Sequence, residues 1–291
     1  MKSATKLAAR FSFEAIGTLW QIDTVQSLSA QQQAEIVAYC DSFDAYFSRF
    51  REHSMVRRLA ESAGSIEVPD TWVPLVRFYA ELTQVTHGLF TACIGDSLTA
   101  AGYDAQYSLK VGDPQQAPSW IEIVRLNGHT LTVSQPVLLD FGAAGKGFLV
   151  DCIAALVRSW GIESATIDAS GDIYTWGEQV ETVGLEDPRN THNVLGTVKV
   201  QQQALCASAI HRRSWGDGVH HIMNPTSGKS TTGVQATWVR ADSAMIADGL
   251  ATALFLVDPE TLRVVTDFDY VRLHQNGSLD YSAGFKGQLY I

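Results

Sequence analysis

Three glycines within six residues, in Gly142-Ala-Ala-Gly145-Lys146-Gly147, stand between a segment that alternates and a segment of helical spacing, and this junction constrains the fold most. Upstream, Ile121, Ile123 and Arg125, the pair Asn127-Gly128, then Leu131, Val133 and onward to Leu139 follow period two, the pattern of a hairpin with an Asn-Gly turn. Downstream, residues from about Phe148 to Trp160 form an amphipathic helix that ends at Gly161. Closely spaced glycines let backbone approach a phosphate or a metal without Cβ interference, and they equally suit a tight strand-to-helix turn. The loop is not a P-loop. That pattern needs a glycine five residues before the second one and a Ser or Thr after the lysine, where this chain has Asp140 and Gly147.

The same alternation of periods runs along the chain. Arg10 to Thr24 reads as a strand pair or a bent strand around Ile16-Gly17-Thr18, and Ser29 to Phe50 as a helix behind a Ser N-cap. A second helix runs from Pro69 to Thr86 and stops at His87-Gly88. Strands follow at Ala165–Ala169, Thr182–Leu185, Val194–Val200 and Gln235–Arg240, then a helix from Ser243 to Val257, and strands around an Asn276-Gly277 turn at the close. Strands and helices in this order predict an α+β fold with mixed or antiparallel sheets and packed helices, not a regular doubly wound one. No Pro/Gly/Ser linker divides residues 1–291, so one domain is expected, and a hydrophobic fraction of 46% suffices for its core.

A formal charge of −10 with no basic stripe argues against nucleic acid and anionic membrane as partners. An anionic ligand would need neutralising locally, by a metal ion, backbone N–H groups or a few placed cations. Cys40, Cys93, Cys152 and Cys206 show no paired short spacing and read as small buried hydrophobes. No run reaches the ~18 apolar residues of a membrane span, and the basic start has no signal-like apolar stretch. The chain as given therefore reads as cytoplasmic, the alternative being an exported or lipid-anchored form with its signal removed.

Within this frame, Asp248 and Thr252 lie four apart on a helix of small and apolar neighbours, so both oxygens leave one face. A carboxylate there must be paired, satisfied by backbone or bound to a cation, and magnesium suits it. His220 and His221 on an extended segment point to opposite sides, so one is a catalytic candidate and the other structural. Asp168-Ala-Ser-Gly171-Asp172 reads as a turn at a strand end. No nucleophile elbow, no His-Glu-x-x-His and no dinucleotide fingerprint is present.

The order of these motifs resembles the FAD:protein FMN transferase family, the ApbE-like flavin transferases. Ile16-Gly17-Thr18 is similar to a Met-Gly-Thr motif, Ser48-Arg-Phe-Arg-Glu-His-Ser54 to a Ser-x-Tyr/Phe segment ending in Ser, and Thr86-His-Gly-Leu-Phe90 to Thr-Gly-Gly-x-Phe-Asp. Asp140 to Asp151 resembles Asp-Leu-Gly-x-x-Ala/Gly-Lys-Gly-Tyr-x-x-Asp, and Ser170-Gly171-Asp172 resembles Gly-Gly-Asp. His221-Ile-Met-Asn-Pro-Thr-Ser-Gly228 and Ala247-Asp-Gly-Leu-Ala-Thr-Ala253 resemble His-Ile-x-Asp-Pro-x-Thr-Gly and Ala-Asp-Ala-x-x-Thr-Ala. The chain departs from the pattern at Ile16 for Met, Thr91 for Asp, Asn224 for Asp, and Ala207-Ser208-Ala209 for Thr-Ser-Gly.

The resemblance implies a T-fold-related architecture and Mg2+-dependent transfer of the FMN half of FAD to a Thr or Ser hydroxyl, with release of AMP. Magnesium ligands would be the carbonyl of Gly145 with Asp248 and Thr252. Flavin contacts would fall at Ile16, Phe50, Leu89, Phe90, Thr91, Gly142, Phe148, Met223 and Ala251. His221 is the preferred base, with Asp168, Asp172 and Lys146 as alternatives. The implied acceptor is a flavoprotein of an electron-transport complex with an Asp-Gly-x-Thr/Ser-x-Thr-like site. Two other readings keep the same site: a magnesium-dependent FAD pyrophosphatase and a flavin-binding protein without turnover.

Overall fold

Strand pairing is antiparallel throughout residues 7–290, the part of the chain described by the computed structural model. Most of the basic start considered as a leader lies outside those residues. The central sheet has eight strands in the order β1 (Ala9–Ala15), β2 (Thr18–Thr24), β6 (Ala165–Asp168), β7 (Ile173–Trp176), β10 (Ala204–Ala209), β15 (Val234–Ala241), β16 (Asp269–His274) and β17 (Leu279–Tyr281). One face is covered by helices α1 (Ala30–Phe47), α3 (Val73–Val85), α6 (Gly145–Ser159) and α7 (Ala244–Ala253). A small sheet of β8 (Glu181–Glu186), β9 (Val194–Val200) and β18 (Gly287–Leu289) packs on the other. The period of two sorts β10 between these layers. Ala204 and Cys206 join the helix-side core, whereas Leu205 and Ala209 turn to the small sheet.

Shorter elements complete the chain. Strands β3 (Gly64–Glu67), β4 (Val124–Asn127) and β5 (Thr130–Val133) form a separate sheet. Two-stranded ribbons pair β11 (Ser214–Trp215) with β12 (Val219–His220) and β13 (Met223–Asn224) with β14 (Lys229–Ser230). Helices α2 (Met55–Glu61), α4 (Gly95–Ala100), α5 (Trp120–Ile123) and α8 (Pro259–Leu262) span four to seven residues each. No described helix is long and apolar enough to cross a membrane.

Local chemistry accounts for the main boundaries. Ser29 starts α1 with a reciprocal cap: its Oγ accepts from Gln32 N at 3.2 Å while Gln32 Oε1 accepts from Ser29 N at 2.9 Å, worth about 1 kcal/mol. The predicted helix from Pro69 begins at Val73, because Trp72 and Val73 both donate to the Pro69 carbonyl in a preceding turn. The helix predicted from Phe148 begins three residues earlier, at Gly145, and the one predicted to Val257 ends at Ala253. The alternating pattern places Ile121 and Ile123 in a strand, yet they occupy the single turn α5, with Glu122 and Ile123 donating to Ser119 O. Over four residues, two apolar positions fit either period, and Pro118 and Ser119 favour a helix start. The segment from Ser134 to Leu139, expected to continue the strand, opens on a bend and joins no sheet; single hydrogen bonds hold it, among them Ser134 N to Ile123 O at 2.9 Å and Val137 N to Leu59 O at 3.0 Å.

Two tight hairpins end side by side at one edge of the helix layer. Ile16 (φ 45°) and Gly17 (φ 73°) make the β1–β2 turn, and Ser170 (φ 54°) and Gly171 (φ 102°) make the β6–β7 turn. Positive φ at both central residues is the type I′ geometry that matches strand twist. A β-branched Ile in that region is strained by ~1–2 kcal/mol. The tips are tied by Ser170 Oγ donating to Leu19 O at 2.9 Å.

Candidate active site

The two hairpin tips, the Asp140–Gly147 loop, the end of β10 and the segment 211–223 surround a cavity of about 720 Å³. That lies within the ~300–1,000 Å³ typical of small-molecule sites. Its floor is the start of α6 against α7. A Cβ on Gly147 would run into the Ala244 carbonyl and lie 2.7 Å from Asp248 Cβ, so only glycine lets the two helices approach this closely. Gly147 N then donates to Asp248 Oδ2 at 2.9 Å. Asp140 shapes the loop, with Oδ1 accepting from Gly142 N at 2.6 Å and Oδ2 held by Arg49 Nε at 2.5 Å.

Asp151, further along α6, fixes the other helix. Its carboxylate accepts from Ser243 Oγ at 2.7 Å and from Ala244 N and Met245 N at 2.9 Å each. An anion on the first N–H groups of α7 satisfies donors the helix cannot satisfy itself. One turn further along α7, Asp248 and Thr252 present their oxygens to the cavity, as spacing four on a helix requires. Thr252 Oγ1 also lies 3.2 Å from Ser208 Oγ on β10.

Charge at this floor is out of balance. Asp172 is fully buried and forms an ion pair with Lys146; apart from that pair, neither of its carboxylate oxygens has a hydrogen-bond partner. Asp248 is also buried, and burial first, then the neighbouring Asp172, push its carboxyl well above the ordinary range, against the pull of Lys146 and Gly147 N–H. Burial tends to lower the Lys146 ammonium, but Asp172 and Asp248 outweigh it and hold its pKa up. With two carboxyl groups on one ammonium in low dielectric, Asp248 keeps its proton unless a further cation arrives, and a divalent ion would take that proton's place. Among the described residues, no three His, Cys, Asp or Glu side chains group to hold a metal. The available donors are carboxylates, the Thr252 hydroxyl and backbone carbonyls, an all-oxygen set that fits magnesium with waters or phosphates completing the shell.

Across the cavity the paired histidines divide as strand geometry requires. His220 is buried, with Nε2 3.0 Å from Thr231 O and Nδ1 accepting from Ile222 N at 3.3 Å, so both ring nitrogens are used and its role is structural. His221 lines the cavity, and its Nδ1 lies 3.3 Å from Arg213 O. A carbonyl accepts only, so Nδ1 carries the proton and Nε2 keeps a lone pair. Burial, then Arg213, push the His221 pKa down to about 3, so the ring is neutral near pH 7.

Sequence reasoning named Phe50 but missed the rest of the aromatic and cationic wall around it. Phe50 stacks on Tyr107 at 5.3 Å with an 11° interplanar angle, and Tyr103 sits edge-on to Phe50. Arg49, nearly fully buried, lies 4.1 Å over the Phe50 ring and donates to Tyr103 O at 2.6 Å. Arg213 lies 5.8 Å from the Tyr103 ring. Arg49 is visible inside the Ser48-Arg-Phe50 motif, but no periodic signal marks Tyr103, Tyr107 or Arg213.

Of the predicted ligand contacts, Ile16, Phe50, Leu89, Phe90, Thr91, Gly142 and Met223 line the cavity, together with Gly145, Asp248, Thr252 and His221. Two do not. Phe148 points into the core against Phe43, with ring centroids 6.1 Å apart, and Ala251 is fully buried with its carbonyl accepting from Thr237 Oγ1. Among the alternative bases, Asp168 is engaged by Gly171 N at 2.8 Å as the cap of its own turn, and Asp172 and Lys146 are committed to each other.

A family model described as the ApbE family matches residues 16–272. A Vibrio cholerae protein named FAD:protein FMN transferase is 27% identical over 244 residues, covering 78% of this chain and 71% of the relative. A Treponema pallidum protein of the same name is 33% identical over 150 residues, 45% of this chain and 41% of the relative. Among solved structures, the ApbE protein of Thermotoga maritima superposes with a TM-score of 0.84 at 21% identity, covering 96% of this chain and 99% of that one. The flavin transferase ApbE of Vibrio cholerae gives 0.80 at 21% identity, with 94% and 96% covered. At that identity the structures establish the shared fold.

Proposed function

Because the chain belongs to the ApbE family, we propose that it is a magnesium-dependent transferase that moves the FMN half of FAD onto a Thr or Ser hydroxyl of an acceptor flavoprotein and releases AMP. One observation carries this reading: Asp248 and Lys146, backed by the fully buried Asp172, face the same cavity as an imidazole with a free Nε2. The relatives named FAD:protein FMN transferase support flavin as the group transferred. An electron-transport complex is the expected home of the acceptor.

Asp248, Thr252 and the carbonyl of Gly145 would hold magnesium, which when bound supplies positive charge against the pyrophosphate. The remaining work falls to the chain itself. Phe50, Tyr103 and Tyr107 offer flat apolar surface to a ring system, and Arg49 and Arg213 stiffen that wall. In the transfer, the acceptor oxygen bonds to the FMN phosphorus as the bond from that phosphorus to the AMP phosphate oxygen breaks, in line. The acceptor proton goes to His221 Nε2, whose low pKa rises when anionic phosphates occupy the cavity.

The test is incubation of the purified chain with FAD, magnesium chloride and the peptide Asp-Gly-Ala-Thr-Ala-Thr-Ala-Gly. The expected result is a flavin that stays on the peptide after denaturation, with one AMP per label. Free FMN and AMP without labelled peptide would identify a pyrophosphatase instead, and unchanged FAD would refute both.

A further inference from the structure

Strand β10 is paired along its whole length with β15, from Ala204 opposite Ala241 to Ala209 opposite Ala236. With β7 it is paired only at Ala204 and Leu205. The reason is the Ser170-Gly171 turn, which carries the chain back into β6 and ends β7 at that level. Gln203 O accepts from Thr175 N of β7 at 3.1 Å. By the two-residue period, Leu205, Ala207 and Ala209 therefore aim their N–H and C=O groups at the β7 side, and Cys206 and Ser208 aim theirs at β15. Past Leu205, what occupies the β7 side is the cavity: Ala207, Ser208, Ala209, Ser170 and Gly171 all line it, and Ala207 is exposed. Nothing lies within 4 Å of where a Gly171 Cβ would stand, so the turn that begins β7 is open on that side.

We propose that an extended segment of the acceptor polypeptide docks here as an added strand, bonding through its backbone to Ala207 and Ala209, in the place where β7 would have continued. This rests on the transferase reading above and names how its protein substrate is held. A row of alternating backbone donors and acceptors is complementary to another backbone, and strand addition to an open edge is the mode that uses it. Arg213 borders the same opening, beside the Arg212–Glu186 pair at 2.9 Å, and would meet the aspartate of an Asp-Gly acceptor segment. The pleat then sets the direction of attack. Cys206 Sγ lies 3.5 Å from Ala244 O and Ser208 Oγ 3.2 Å from Thr252 Oγ1, so the side chains of these two residues face α7. The incoming residue opposite Ser208 projects from the same face, toward Thr252 and Asp248. Running antiparallel to β10, as β7 does, the segment has that residue's own N–H pointing away from β10 and the N–H groups of the residues on either side pointing toward it.

Alternation makes this testable on the wild-type protein. The labelled threonine of Asp-Gly-Ala-Thr-Ala-Thr-Ala-Gly is located by mass spectrometry, and three N-methylated peptides are then compared: on the residue before it, on the residue after it, and on that threonine itself. A methyl on either neighbour removes a donor aimed at β10 and should slow labelling about tenfold or more, whereas a methyl on the threonine nitrogen should change it less than about twofold. Equal effects at all three positions, or the opposite parity, would overturn the docking proposal while leaving transfer intact. No label on the unmethylated peptide would overturn the transferase reading, and this proposal with it.

Discussion

Replacing Asp151 by asparagine removes a charge without changing shape, and the donors around the carboxylate set the cost. Three of them converge on it, two on Oδ2. An amide has one acceptor oxygen, so in either orientation at least one buried donor faces an N–H, at a cost of about 1–3 kcal/mol. Burial already pushes the Asp151 carboxyl pKa up, and a neutral side chain relieves part of that cost. The net loss should be about 1–2 kcal/mol, which at an m value of about 3 kcal/mol/M lowers the urea midpoint by roughly 0.3–0.7 M. Because α7 carries Asp248 and Thr252, the same variant should need more magnesium for half-maximal thermal stabilisation. Ser243→Ala, which loses one of the three bonds, should cost about 1 kcal/mol. An Asp151→Asn midpoint within roughly 0.1 M of wild type, with an unchanged magnesium titration, would refute the capping account.

Asp248→Ala removes the repulsion with Asp172 but orphans the buried Gly147 N–H, so the metal-free chain should lose no more than about 1–3 kcal/mol, and magnesium should no longer raise its Tm; a retained magnesium shift places the ion elsewhere. His221→Ala should lower peptide labelling about 10²–10⁴-fold with FAD affinity little changed, and near-normal labelling would move the base to another group. The pKa of His221 is about 3 in the folded chain against an ordinary 6.5, so the folded state binds fewer protons below pH 6.5, and the linked stability is full above 6.5 and lost as pH falls toward 3. The stability gap between wild type and His221→Ala should therefore narrow from pH 7 to pH 4 in urea titrations; a constant gap contradicts the shift. Gly147→Ala should force α6 from α7, cost about 1–3 kcal/mol and blunt the magnesium response, and a wild-type Tm would show the contact is softer than the geometry implies.

How much of this was legible in the sequence depended on the range of each interaction. The α1 cap, the Asn127-Gly128 and Asn276-Gly277 turns, the hairpin around Ile16-Gly17 and the Asp248/Thr252 pair are signals within a few residues, and the structure contains each. Phe148 and Ala251 lie off the cavity lining, because a motif gives the element and not the face. Each sits about 100° around its helix from a neighbour that does line the cavity or floor, Gly147 and Thr252 respectively. The Arg49–Asp140 and Lys146–Asp172 pairs join distant segments, and single-sequence spacing carries no trace of them. Nor could it show that β7 would stop short along β10.

The contacts that define the cavity floor and mouth connect residues very far apart along the chain. Gly147 to Asp248 spans 101 positions, Ser243 to Asp151 spans 92, Arg49 to Asp140 spans 91, and Ser170 to Leu19 spans 151. Each closes a long loop whose entropy must be overcome before the contact returns anything. Only that closure brings Asp172 and Asp248 together, with Lys146 beside them. If the site binds magnesium as proposed, ion capture belongs to the last stage of folding, and the first appearance of magnesium protection during refolding should mark, in time, the moment the whole sheet has closed.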